Sequence, residues 1–145
     1  MSQPWEPTLQ QVAIWVPWLT VDTTTPGQQT PSGTFTATTE PNATHAQEHI
    51  SQAAVMVGAA AGTVPAALYD LAAAITALRA AIALALAYPR DDQDIAAAVA
   101  RMQAQYDADW KVFVTAVDNA GGDNPATASP VLYAPEPVRW GDWYL

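Results

Sequence analysis

Between Ala66 and Tyr88 the chain is dominated by Ala, Ile and Leu, interrupted by Asp70 and Arg79. Leu68, Leu71, Ala72, Ile75, Leu78, Ile82 and Leu86 recur at threes and fours, the period of an α-helix. The opposite face also carries Ala and Leu, so burying one side alone would leave apolar surface in water. This helix therefore has to be central, covered on more than one side by other elements. A membrane span has a similar composition, but two charges and many alanines, which gain little on transfer into lipid, argue for a buried helix. No membrane partner is expected. Pro65 suits the first helical position and Pro89 ends the element.

Three further helices are expected around it, giving an all-α fold with a four-helix body. The first opens with Thr8 as N-cap and runs through Leu9, Val12, Ala13 and Val16, with Pro17 limiting it. Trp15 and Trp18 fall near its end, where an indole can pack while its N–H meets a polar partner. The second starts at Asn42, follows Ala46, Ile50, Ala53, Ala54 and Val57, and stops at Gly62. Asp91, Asp92 and Asp94 place negative charge where the fourth should begin, which complements the helix dipole. Ile95, Val99, Met102, Tyr106, Trp110, Phe113 and Val117 then form the clearest amphipathic stripe of the chain, read as core, and Gly121-Gly122 closes it. Residues 19–40 differ sharply, being rich in Thr, with turn signals at Pro26-Gly27 and Pro31-Ser32-Gly33. A long loop or loose hairpin is expected there, and loops of that length are commonly functional or mobile.

The chain has 145 residues and a net charge of −9, with Lys111 its only lysine. Arg79, Arg90, Arg101 and Arg139 are scattered, so no basic patch is available to neutralise phosphates, and sequence-specific nucleic-acid binding is not expected. An acidic surface can still line a passage through which DNA slides. The absence of cysteine removes disulfides, thiolate nucleophiles and Cys-based zinc sites together. No basic stretch followed by an apolar one opens the chain, so signal-peptide secretion is not expected.

Chemistry has few carriers. His45-Ala46-Gln47-Glu48-His49 matches H-x-x-E-H, the zinc pattern of inverted metalloproteases, and a helix would place both histidines on one face. Such enzymes need a further acidic ligand and a closed cleft on a larger scaffold, so two surface histidines are the default reading. A metal-dependent hydrolase built on His45 and His49 stays as a remote alternative. The Asp91–Asp94 cluster lacks the glycine and distal glutamate of a calcium loop. Asp107 and Asp109 sit on or near the polar side of the fourth helix. No catalytic residue, metal site or cofactor is therefore assigned, and the protein is not expected to be an enzyme.

Residues 122–145 cannot be helical, because Pro125, Pro130, Pro135 and Pro137 interrupt them. They nevertheless carry Tyr133, Trp140, Trp143 and Tyr144, side chains that lose heavily when left in water. Residues 1–121 are thus read as a helical domain and 122–145 as an extended docking arm. Either the arm lies across its own domain or another subunit receives it. A small bundle has little room for four extra rings, which favours a partner.

The order of elements resembles the head-to-tail adaptor (connector) proteins of tailed bacteriophages. The stretches that carry the resemblance are Pro7-Thr8-Leu9-Gln10-Gln11-Val12, Gly33-Thr34-Phe35-Thr36, Thr39-Glu40-Pro41, Ile50-Ser51-Gln52-Ala53, and Val64-Pro65-Ala66-Ala67-Leu68-Tyr69-Asp70-Leu71-Ala72. The resemblance implies a compact helical protein that assembles with neighbouring copies as a ring, usually twelve-fold, beneath the portal protein. Such a ring extends the DNA channel, lets genomic DNA pass without sequence-specific binding, and offers a surface to stopper or tail-completion proteins. It implies a virion neck location, with assembly in the host cytoplasm. An extended C-terminal arm gripping the portal or a neighbouring subunit is common in such adaptors, which assigns partner contact to Tyr133, Arg139, Trp140, Trp143 and Tyr144. Arg139 beside Trp140 adds a charge and a cation–π option to that anchor. The alternative outside this family is a small soluble interaction module with an aromatic docking tail.

Overall fold

The computed structural model describes residues 2–24, 26, 27 and 30–121. It is all-α, with four α-helices: α1 (Leu9–Ala13), α2 (Ala43–Ala61), α3 (Tyr69–Ala87) and α4 (Gln93–Gly121). Short 3-10 turns at Pro17–Leu19 and Ala66–Leu68 follow α1 and lead into α3.

Local chemistry sets each boundary. Thr8 caps α1 reciprocally: its hydroxyl accepts from Gln11 N–H at 3.2 Å, and Gln11 Oε1 accepts from Thr8 N–H at 2.8 Å. The helix ends at Ala13 rather than reaching Val16. Pro17 disfavours helical backbone in the residue before it, and Val16 sits at φ −130°, ψ 56°. Trp15 and Val16 accordingly bond back three residues, to the Val12 and Ala13 carbonyls, and tighten the exit. Asn42 caps α2 through Oδ1, which accepts from His45 N–H at 2.9 Å. Gly62 ends it at φ 77°, in the left-handed region that glycine adopts without a Cβ penalty. Pro65 lies one residue outside the expected position: it is extended, and its carbonyl closes the 3-10 turn by accepting from Leu68 N–H at 2.9 Å. Asp92 Oδ1 accepts from Asp94 N–H at 2.8 Å at the start of α4.

α3 is central, packing on α1, α2 and α4. It buries Ala72, Ile75, Ala77, Leu78, Ala80, Ala81, Ile82, Leu84 and Ala85. The alanines let backbones approach closely, so three neighbours fit around one helix. By length and composition Ala66–Ala87 could cross a membrane, but half of that window is covered inside the bundle. One core cluster joins Val12, Val16, Leu19, Phe35, Ile50 and Met102 to the second half of α3. The other joins Trp5, Val57, Val64, Phe113 and Val117 to Ala72 and Ile75. α4 therefore runs antiparallel to α3, with its C-terminal end beside Trp5.

Among the described residues, the Thr-rich connection forms no strand, only isolated antiparallel bridges at Val21–Pro31 and Asp22–Thr39. Its threonines bond the backbone in place of a sheet ladder. Thr23 Oγ1 donates to the Thr38 carbonyl at 2.7 Å, Thr39 Oγ1 donates to the Pro41 carbonyl at 2.8 Å, and Ser32 Oγ donates to the Thr20 carbonyl at 2.8 Å. Phe35, only 3% exposed, pins the segment into the core. The Glu40–Pro41 peptide is cis.

Candidate interaction surfaces

α2 presents a face to solvent that the helical stripe leaves out. Val55 and Met56 lie on it, 59% and 53% exposed. The N-terminal residues run alongside: Glu6 Oε1 accepts from Gln47 Nε2 at 2.6 Å and from Ser51 Oγ at 3.2 Å, tying segment to helix. Trp5 packs beneath, over Gly58; a Cβ added to that glycine would stand 3.5 Å from the indole Cζ2. Two adjoining grooves result, sharing Ser51 and Gln52. The larger, about 650 Å³, is walled by Leu9, Ala43, Thr44, Gln47 and Glu48. The other, about 550 Å³, is walled by Ser2, Gln3, Glu6, Ala54, Val55 and Met56. A third groove of about 310 Å³ runs between the end of α1 and α4, with Ile14, Trp15, Ala98, Arg101, Met102 and Gln105 around it.

The histidines of the H-x-x-E-H pattern sit on α2 beside these grooves. His45 is exposed in the first turn and His49 is half-buried, while Glu48 is exposed. Among the described residues, no three His, Asp or Glu side chains gather in a set that could hold a metal ion. Asp92 in the acidic cluster is engaged in capping, and Asp109 accepts from Gln105 Nε2 at 2.8 Å.

The stripe of α4 faces inward as expected. Tyr106 stacks on Trp110 at 6.0 Å, and Trp110 meets Phe113 at 5.7 Å in a tilted pair. Arg79 Nη1 donates to Tyr106 Oη at 2.9 Å, and its guanidinium carbon stands 5.7 Å from the ring centroid. Tyr106 touches both core clusters, so this contact occupies the seam between them. Of the indoles near α1, Trp18 packs on the core with its Nε1 buried and, among the described residues, unpartnered, contrary to the expected polar contact; Trp15 stays 38% exposed. In the connection, Asp22 is held below the ordinary aspartate value of 3.8, first by the Thr24 hydroxyl and then by the Thr24 N–H, both donating to its carboxylate.

The five expected partner-contact residues, Tyr133, Arg139, Trp140, Trp143 and Tyr144, lie outside the described residues. The α2 grooves were not anticipated. Their signal in the sequence is a weak second stripe, Val55 and Met56, set off from the core stripe of the same helix. Comparison with protein families, with curated proteins and with solved structures finds no match for this chain.

Proposed function

We propose that the protein is a structural component of a tailed-phage neck: a ring-forming head-to-tail adaptor that docks on the portal. In that role it extends the DNA channel and carries the attachment surface for stopper or tail-completion proteins. The observation that carries the reading is where the resembling motifs fall in the fold. Pro7–Val12 contains the reciprocal cap of α1, Gly33–Thr36 delivers Phe35 to the core, and Thr39–Pro41 closes the connection with buried Thr39 and Pro41. Val64–Ala72 holds the turn into α3, with Val64 and Ala72 buried. Each of these stretches is thus a cap, an anchor or a turn that this fold needs, and the adaptor reading rests on the resemblance in their order.

Two physical features suit the role. An Ala-rich body lets helices of neighbouring copies approach closely, and a net charge of −9 suits a channel that DNA passes without sticking. The arm from 122 to 145, with Trp140, Trp143 and Tyr144 as anchors and Tyr133 and Arg139 as support, is the segment that engages the portal or a neighbouring subunit. The test is electron microscopy of the protein mixed with portal assemblies. An added ring beneath the portal, lost when residues 124–145 are deleted, is the expected result. Portals that stay bare with the full-length protein would overturn the reading.

A further inference from the structure

We infer that copies of this chain meet head to tail: the Ile14–Trp15 corner of one seats in the α2 groove of the next, against Val55 and Met56, with Arg101 facing Glu6. This deepens the adaptor reading by naming the surfaces in contact, and it rests on that reading for the closure of the series into a ring.

The first argument is placement. Val12, Ala13 and Val16 turn inward at the exit of α1, which leaves Ile14 and Trp15 between them facing out, Ile14 being 75% exposed. These two border α4, whereas Leu9 at the start of α1 borders α2. The corner and the α2 grooves share no residue, so a copy that uses one still offers the other. Contact between unlike surfaces passes from copy to copy and ends only when a ring closes.

The second argument is charge. Exposed apolar residues alone would let either surface pair with itself. Arg101 is the one charged residue among those lining the corner, while Glu6 and Glu48 line the α2 grooves with no Lys or Arg beside them. Like with like sets Arg101 against Arg101, or Glu6 against Glu6; the unlike pairing sets cation against carboxylate. Neither charge is met at home. Among the described residues Arg101 has no ion pair, and Glu6 is held by Gln47 and Ser51, which are neutral. Asp94 and Asp109 share α4 with Arg101 but stand about 10–12 Å from it along the axis, beyond a screening length of about 8 Å at physiological salt. With 14 acidic residues against 5 Lys and Arg, an arbitrary contact between two copies sets carboxylates together. An arginine in an apolar corner is the exception, and it selects a groove edged by carboxylate.

Shape agrees. The Val55–Met56 groove, about 550 Å³, is within the range of clefts that enclose a drug-sized molecule, about 300–1,000 Å³, and takes an indole with an aliphatic side chain beside it. A methionine thioether adapts to an aromatic face, and Trp is a favoured anchor where one protein meets another.

The chain has no cysteine, which makes the test direct. Ala98→Cys marks the corner and Gln52→Cys marks the groove, neither being an anchor. The two full-length variants, one carrying a purification tag, are mixed at about 1 mM, enough to populate a weak contact, and joined with a short bis-maleimide. The mixed product is expected to exceed both like-with-like products. Adding Trp15→Ala to the Ala98→Cys copy should lower it about tenfold or more. Adding Glu6→Gln to the Gln52→Cys copy keeps an acceptor for Gln47 and Ser51 but removes the charge, and should lower it about two- to fivefold. Circular dichroism matching the parent shows that each variant is folded. Like-with-like products in excess, a mixed product indifferent to Trp15→Ala, or no product at all overturns the inference; the last is also the outcome if another part of the same chain fills the groove. A ring on portals without the mixed product sinks this contact alone, and the mixed product beside bare portals sinks the adaptor reading alone.

Discussion

Thr76 lies in the middle of α3, fully buried, and among the described residues its hydroxyl has no hydrogen-bond partner. A hydroxyl taken out of water without a partner costs about 1–3 kcal/mol on protein scales. Thr76→Val replaces it by a methyl group of nearly the same shape. Both residues are β-branched, so backbone and rotamer terms almost cancel, and the change isolates the hydroxyl. The variant is therefore expected to be more stable by about 1–3 kcal/mol. With a urea slope near 2 kcal/mol per molar, the unfolding midpoint should rise by about 0.5–1.5 M at unchanged slope. Far-UV circular dichroism during urea titration reads this, because four helices dominate the signal. Thr76→Ser is the companion variant: it keeps the hydroxyl, loses the buried methyl, and should fall below the parent. A midpoint for Thr76→Val that is unmoved or lowered would refute the reasoning. It would mean that the hydroxyl is bonded in solution, with the carbonyl of residue 72 one turn back as its acceptor.

Gly58 sits inside α2 beneath Trp5, yet an added methyl would meet the indole at 3.5 Å, an ordinary contact. Gly58→Ala should raise stability by about 0.5–1 kcal/mol in the same titration, and a loss would show the Trp5 contact to be tighter than drawn. Phe113 is fully buried and anchors the second core cluster, so Phe113→Ala should cost about 3–5 kcal/mol, seen as a large fall in the midpoint. The carboxylate of Asp22, lowered by the Thr24 hydroxyl and N–H, should titrate below 3.8 in a carbon-detected NMR titration. Because its folded value is depressed, the contribution to the connection is complete above the unfolded value and is lost as pH falls through the folded one. Thr24→Ala should move the midpoint back up, and an unmoved midpoint would assign the shift to another cause.

Much of the helical frame was legible because it is written in local chemistry. Asn42 and Thr8 are caps wherever they precede an apolar period, Gly62 supplies a left-handed stop, and prolines exclude helix at fixed places. The inward stripe of α4 follows from residue spacing alone. The short span of α1 was less legible, since Val16 fits the period but cannot stay helical before Pro17. Phe35 was hidden in a polar stretch where no period marks it. The α2 groove was hidden for a related reason: it is made by the N-terminal segment, and a helix does not record what lies beside its exposed face.

The sequence by itself determined that α3 is surrounded, because a helix apolar on two faces has no stable place at an edge. It also determined the caps, the stops and the aromatic content of residues 122–145. Only the tertiary structure decided that Glu6 joins Gln47 and Ser51 across some forty residues, that Arg79 meets Tyr106, and that Val55 and Met56 stay exposed among the described residues. Those contacts join side chains distant along the chain, and their partners are chosen by the packing of helices, which no local period encodes.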